Sequence, residues 1–500
     1  MGDRLNDLLA RLHTADDLDR AAAVLGWDQM TYMPPEGNAG RGDQLATLAT
    51  LWHREFTSPA IGELLDALET EYKDRPADDP KRALLHVTRR QYEKKTKLPE
   101  SLVAEMQRAS AEAYKAWVAA RAEKRFSLFA PAFGRILQLN RDAAEAFGYA
   151  EEPYDALIDD AEPGLTASRA QQLLDALKQA LLPLVQQIAE HRERVDRSML
   201  IGEYPHEAQW QAGIDAATAF GFDFARGRQD VSIHPFTTSF GVDDVRITTH
   251  INPGFFPSGF YSTLHEAGHG MYEQGLPAEW ARTPLGQAIS GGVHESQSRL
   301  WENVVGRSHE FWEYFLPTAK RYFPTQLGHA DVETMYRAVN YSEPSLVRVD
   351  ADEVTYNLHI AVRFEIERAL MQGNLTPQDV PDAWAQKMQT YLGIRPHDDL
   401  VGALQDIHWT GGFGSFIGYS IGNIVSGQLW QAASRDLGDL PDMIRRGEFA
   451  PLLGWLRTNL HQLGRTYSTD QMLRRATGGP LDAAPYIDYV QRKYRAIYGL

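Results

Sequence analysis

Cysteine is absent from all 500 residues. That removes disulfides, thiolate metal sites and a cysteine nucleophile at once. The lack of disulfides fits a reducing compartment, and the expected location is the cytoplasm. No run of 18 apolar residues occurs, so no membrane-spanning helix is expected. The start, Met1-Gly2-Asp3-Arg4-Leu5-Asn6-Asp7, lacks the apolar centre of a signal peptide, and Asn6 stands where a myristoylation signal wants Ser or Thr. Positive charge is also short. Fifty Lys and Arg against 67 Asp and Glu leave a formal charge of −17, which argues against nucleic acid or an anionic membrane surface as partner. Repeats, low-complexity runs and a clear linker are missing too. The expectation is one domain over 1–500, with an N-terminal helical part to about 225 and a second half from about 226.

What is present reads mostly as helix. Leu5, Leu8, Leu9 and Leu12 make one apolar stripe, and Leu18, Ala21, Ala22 and Leu25 make the next. Met33-Pro34-Pro35-Glu36-Gly37 breaks the pattern, and a third helix is expected from about Arg41 to Phe56. Long helices are predicted near 100–123, 126–147 and 166–195, their outer faces laced with Glu, Lys and Arg as solvated faces are. Between Val231 and Ile251 the texture changes to β-branched residues, with alternation at Val245, Ile247 and Thr249. This predicts a small antiparallel sheet. Helices resume at about 285–306, 309–322, 331–340, 351–372, 380–392, 416–433, 450–463 and 481–498.

The sheet leads directly into Tyr261-Ser262-Thr263-Leu264-His265-Glu266-Ala267-Gly268-His269-Gly270, which contains His-Glu-x-x-His. Residues four apart share a helix face, so His265 and His269 can reach one metal ion. Two neutral imidazoles suit zinc, with Glu266 beside them as general base. Ser258 or Ser262 is expected to cap this helix. Gly268 inside it costs about 1 kcal/mol against alanine, a cost usually tolerated where something approaches the backbone closely. A third ligand is needed. A Gly three residues and a His six residues after His269 would be one solution, but Tyr272 and Gly275 stand there. A carboxylate from a second helix is the other, and Glu295 is favoured. Glu273, one turn beyond His269, is a competitor that would reach the metal poorly.

Two further clusters stand out. Arg348-Val349-Asp350-Ala351-Asp352-Glu353 precedes a helix whose dipole its acidic residues complement, and Gln405-Asp406-Ile407-His408-Trp409 runs into the glycine-rich turn before Tyr419. Taken with His234-Pro235-Phe236, Asp244-Val245-Arg246-Ile247-Thr248 and His294-Glu295-Ser296-Gln297, the chain resembles the thermostable carboxypeptidase (carboxypeptidase Taq) family of zinc metallocarboxypeptidases. Trp27-Asp28-Gln29-Met30-Thr31 and Met33-Pro34 resemble that family as well.

The resemblance implies a mainly α, saddle-shaped metallopeptidase fold with a deep groove, a small sheet beside the metal helix, and a homodimer. It implies release of C-terminal residues one at a time, with broad preference, from peptides with a free C-terminus. Zn2+ is the implied cofactor, with Co2+ or Mn2+ able to substitute, on the ligands His265, His269 and Glu295 with Glu266 as base. By likeness to related helical zinc peptidases, His408 and Tyr419 are the candidates for oxyanion donors. The signature blocks put forward His234, Arg246 and Arg348 as substrate-binding residues, and the two arginines compete for the terminal carboxylate. A metallo-endopeptidase or oligopeptidase on the same scaffold would share every metal residue. A non-catalytic metal-bound scaffold would have no use for Glu266. The carboxylate that orients the metal histidines is unassigned, because Arg299 stands four residues after Glu295.

Overall fold

In the computed structural model, which describes residues 2–76 and 78–500, the two leading leucine stripes belong to one continuous helix, α1 (Gly2–Thr31). Only the first stripe is buried. Leu5, Leu8 and Leu12 pack with Ile61, Leu65, Leu68, Leu84 and Leu85 in a small separate core. The second half of α1 instead lies over the sheet, where Arg20 donates to the Ser239 carbonyl and Trp27 meets Phe240 edge-on. Pro34 and Pro35 stop α1, as expected of residues that cannot continue a helix.

The N-terminal part continues through α2 (Asn38–Phe56), α3 (Pro59–Tyr72), α4 (Pro80–Lys97), α5 (Glu100–Ala122), α6 (Ala130–Phe147), α7 (Pro153–Ala161), α8 (Ala167–Glu190) and α9 (His206–Phe220). Helices α3, α4 and α7 begin on proline, whose missing N–H is no loss in a first turn.

Strands β1 (Gly227–Val231), β2 (Thr237–Gly241) and β3 (Asp244–Thr249) form the sheet in the order β1-β3-β2. It is mixed rather than antiparallel throughout, which corrects the sequence expectation. The β2–β3 pair is an antiparallel hairpin, but the segment after β1 crosses to the far edge, so β1 runs parallel to β3 with Gly227 opposite Val245. The alternation read in the sequence does turn Val245 and Ile247 into the core.

The second half follows as α10 (Phe256–Glu273), α11 (Gly291–Arg299), α12 (His309–Tyr322), α13 (Pro324–Leu327), α14 (Val332–Val339), α15 (Tyr356–Met371), α16 (Val380–Leu392), α17 (Ile417–Leu437), α18 (Leu440–Arg445), α19 (Ala450–Asn459), α20 (Thr469–Thr477) and α21 (Ala484–Tyr498). Helix α15 starts later than expected because Asp352 spends its carboxylate on the turn before it, accepting from the N–H groups of Val354 and Thr355. A groove of about 760 Å³ is lined on one side by Leu12, Trp52 and Phe56 of the N-terminal helices, and on the other by Glu295, His408 and Tyr419. Among the described residues no helix is long and apolar enough to cross a membrane.

Candidate active site

Helix α10 begins at Phe256, before both expected serines, so neither Ser258 nor Ser262 caps it. Ser258 reaches back to the His250 carbonyl, and the Ser262 hydroxyl is buried without a partner among the described residues. The helix is packed on nearly every face and brings His265, Glu266 and His269 against α11.

Two glycines set how closely the elements meet. A Cβ on Gly268 of α10 would lie 2.6 Å from the Gln297 carbonyl oxygen and 2.7 Å from the Ser298 Cα, both backbone atoms of α11. On the opposite side, a Cβ on Gly422 of α17 would lie 2.5 Å from Cγ of Glu295. Helix α11 is thus held between two glycine faces, and that delivers the Glu295 carboxylate to the histidines. The helical cost of Gly268 is offset by this contact.

The Glu295 oxygen Oε2 stands 3.4 Å from His269 Nε2 and 3.7 Å from His265 Nε2. Donor atoms of all three residues lie within 4.8 Å of one another. Ligands at 2.0–2.1 Å around a tetrahedral ion are separated by about 3.4 Å, close to the two separations from Glu295, so the donor set can hold a divalent ion such as zinc. Surrounding groups point the candidate ligands inward. His265 Nδ1 is 2.8 Å from Oε2 of Glu302, which leaves Nε2 toward the ligand cluster. Arg299 Nε donates to the other Glu295 oxygen at 2.6 Å and its guanidinium lies over the Tyr356 ring.

Charge follows geometry. Burial alone would raise the Glu295 carboxyl, but Arg299 and then His265 overturn that and hold it well below the ordinary carboxylate range. Glu302 shows the same contest: burial raises it, and the His265 hydrogen bond with Arg299 and Arg307 brings it down to about 2. Burial pushes Glu266 the other way, up from its usual value. Its Oε2 accepts the Thr237 hydroxyl at 2.6 Å, so Oε1 is the oxygen without a partner among the described residues.

Glu302 is the carboxylate partner of His265 that sequence reasoning missed. It lies seven residues beyond Glu295, where α11 widens into a π-helical turn (Leu300–Val305), a feature rare enough to mark functional sites. A search four residues on finds only Arg299. The competitor Glu273 is spoken for elsewhere. It binds Nε2 of His294 at 2.8 Å, and the His294 ring in turn stacks on His269.

His408 and Tyr419 are brought together, Nε2 to hydroxyl, at 3.2 Å, on the same groove wall as Glu295. Burial and then Arg348 lower His408 to about 4, so it is neutral near pH 7. Arg348 is buried, with Nε and Nη2 on Asp406 Oδ1 at 3.1 and 2.9 Å and Nη1 on the Tyr356 hydroxyl. A guanidinium has five N–H groups, and these contacts use three. Arg246 pairs with Asp244 through Nε and Nη2 and lies against Trp27 and Phe240. His234 sits exposed in the loop between β1 and β2, where its carbonyl accepts the Ser232 hydroxyl. The structure therefore gathers the candidate metal set, Glu266, His408 and Tyr419, and gives both arginines carboxylate partners of their own.

The profile of the carboxypeptidase Taq (M32) metallopeptidases matches residues 7–494. Thermostable carboxypeptidase 1 of Thermus thermophilus is 43% identical over 490 residues, covering 95% of each chain. Carboxypeptidase 1 of Bacillus subtilis is 36% identical, covering 98% of this chain and 97% of its own. The crystal structure of an M32 carboxypeptidase from Deinococcus radiodurans superposes with a TM-score of 0.97 at 39% identity over the whole of both chains. This chain belongs to the carboxypeptidase Taq (M32) family of metallopeptidases and is a metallocarboxypeptidase.

Proposed function

We propose that this carboxypeptidase is a zinc enzyme in which His265, His269 and Glu295 hold the ion and Glu266 is the general base. The observation that carries the reading is the convergence of two imidazole nitrogens and one carboxylate oxygen beside a buried carboxylate with one oxygen unengaged. Zinc, when bound, supplies a Lewis acid that lowers the pKa of water to about 7. Glu266 Oε1 takes a proton from the attacking water and returns it to the leaving amine. Burial raises the affinity of Glu266 for a proton, which suits a group that accepts one and returns it. Tyr419, paired with His408, donates to the oxyanion as it forms.

Release of single residues from a free C-terminus needs a cation that fixes the register. Arg348 is that cation in this reading, using the two N–H groups that Asp406 and Tyr356 leave over; Arg246 is the second choice, and His234 borders the path of the peptide. Residues 1–500 act as one catalytic domain, because the N-terminal helices supply one wall of the groove. The family likeness and the lack of cysteine support a cytoplasmic homodimer, and Co2+ or Mn2+ is expected to replace Zn2+. The test is digestion of a free-ended peptide ladder read by mass. The expected result is stepwise shortening that stops on chelation and resumes with Zn2+, and that Glu266→Gln loses by 10³ or more on the order of magnitude while keeping its metal. Internal cleavage, or full turnover by Glu266→Gln, would defeat the reading.

A further inference from the structure

The groove is lined by arginines and lysines well away from the metal ligands, and nearly all of them are already spoken for. Arg90 and Lys94 both bind Asp159, each at 2.7 Å. Arg282 is paired with Asp17. Lys95 lies over the Trp52 ring. Arg465 is different. Its Nε donates to the Ala288 carbonyl at 2.7 Å, and among the described residues neither Nη group has an acceptor and no carboxylate is paired with it. Yet the residue is partly buried and lines the same groove as Glu295 and Tyr419.

An arginine left in this condition is costly, because burial strips its water while the Glu273 and Asp160 carboxylates act on it only from beyond ion-pair distance. The local chain is nevertheless built to place it there. Gly464, just before it, has φ +50° and ψ −140°, which breaks the short helical run at His461–Thr466. A Cβ on Gly464 would lie 2.1 Å from the Leu285 carbonyl oxygen, so no other residue fits. That kink and the Ala288 anchor fix the start of the side chain and leave its Nη end toward the groove. The hydroxyl-bearing Thr466, Tyr467 and Ser468 line the wall beside it.

We propose that Arg465 binds a carboxylate of the peptide substrate, a second anion site apart from the one that holds the C-terminus. The proposal rests on the reading above that the peptide lies in this groove. Two sources of that carboxylate exist, a side chain and the chain end, and spacing favours the side chain. Arg465 is anchored at Ala288, two residues before the start of α11 cap at Ser290, and Ser290 to Glu295 spans about 7.5 Å along the helix. An extended peptide advances about 3.3 Å per residue. That rise sets the scale of the separation, so the positions to test are the second and third residues before the scissile bond. An enzyme that releases one residue has only the retained side that long, which points to Asp or Glu at the second or third position before the scissile bond.

The experiment uses the zinc-loaded enzyme and hexapeptides that differ only in Glu or Gln at those positions. Wild type is expected to show a KM for the Glu peptide lower by about tenfold, the scale of one hydrogen-bonded charge pair, with kcat alike. Arg465→Gln should abolish that ratio and Arg465→Lys should keep part of it. Arg465→Gln gives up one protein contact, the Nε bond to the Ala288 carbonyl, and no ion pair, so its Tm should fall only slightly. Binding of the same labelled peptides to the Glu266→Gln protein reads the ratio without turnover, and a third arm there swaps the free C-terminus for an amide. If Arg465→Gln erases discrimination at the chain end instead, the carboxylate is the terminal one and the proposal of a second site falls. An unchanged Glu-to-Gln ratio, or an equal loss on every peptide with a much lower Tm, overturns the proposal. Release of the C-terminal residue from the Gln peptide by wild type checks the underlying reading separately.

Discussion

Glu302 and His265 are in direct contact: the carboxylate oxygen Oε2 lies 2.8 Å from Nδ1 of the imidazole. The contact fixes which ring nitrogen faces Glu295 and makes that nitrogen a better donor. Glu302 is itself held by Arg307 at 3.1 Å, so the ring is oriented by a braced group. Glu302→Gln should weaken metal binding by about 10- to 100-fold, measured by competition with a chromogenic chelator. Unchanged affinity would show that α10 alone orients the ring.

Gly268→Ala tests the helix contact directly. The added methyl meets backbone of α11, which no rotamer change relieves, so α10 and α11 must part by a few tenths of an ångström or more. We expect a loss of about 1–3 kcal/mol in stability, the usual scale of overpacking. Metal affinity should fall with it, because the two histidines and Glu295 sit on the two helices being separated. A variant that melts early yet binds metal normally would contradict this.

Acid should destabilise the metal-loaded protein through buried neutral histidines. Burial, with Arg457 and His294, lowers His461 to about 3, and His408 behaves alike at about 4. The unfolded chain takes up these protons near 6.5 while the folded chain does not. Stability is therefore complete above about 6.5 and declines as pH falls toward 4, by about 1.4 kcal/mol per pH unit for each such group. His461→Gln should remove one proton from that slope in denaturant titrations between pH 6.5 and 4.5. An unaltered slope would mean that His461 is charged in the folded protein.

The grouping of the candidate site was legible in the sequence because it is local. His265, Glu266 and His269 lie within one helical turn, and Glu295 is the acidic residue of the next polar block. Glu302 was not legible, since its role depends on a π-helical turn that shifts the spacing away from the α-helical one. The strand segments were visible from composition, but the parallel β1–β3 pair depends on where a connection crosses, which alternation does not encode. The leucine stripes of α1 were real, yet periodicity does not show that the second stripe would rest on a sheet rather than in a core. Arg465 gave no signal at all, because an unpaired arginine is recognised only by who fails to stand beside it.

Tyr419→Phe removes one hydroxyl and keeps the ring. If the hydroxyl donates to the oxyanion, kcat should fall by roughly 10²–10³ while metal affinity stays the same. His408, 3.2 Å away, would remain in place. Full kcat would make Tyr419 a packing residue of the groove wall.

Arg348 carries the last prediction, and the structure sharpens it. Asp406 already takes Nε and Nη2 of Arg348, and it also binds Arg363. Burial would raise Asp406, but Arg363, Arg348 and His408 hold it well below the usual carboxylate range. In Arg348→Ala the Asp406 charge therefore keeps one guanidinium, and the fold should survive with a lower Tm. The catalytic effect separates two roles. A clamp on the terminal carboxylate contributes binding that an amidated peptide cannot use. We expect a loss of about 2–4 kcal/mol in kcat/KM on free-ended peptides and almost none on amidated ones, which are already poor substrates. A residue that only holds Asp406 and Tyr356 would lower both alike. In that case Arg246 becomes the clamp to test, by the same pair of substrates.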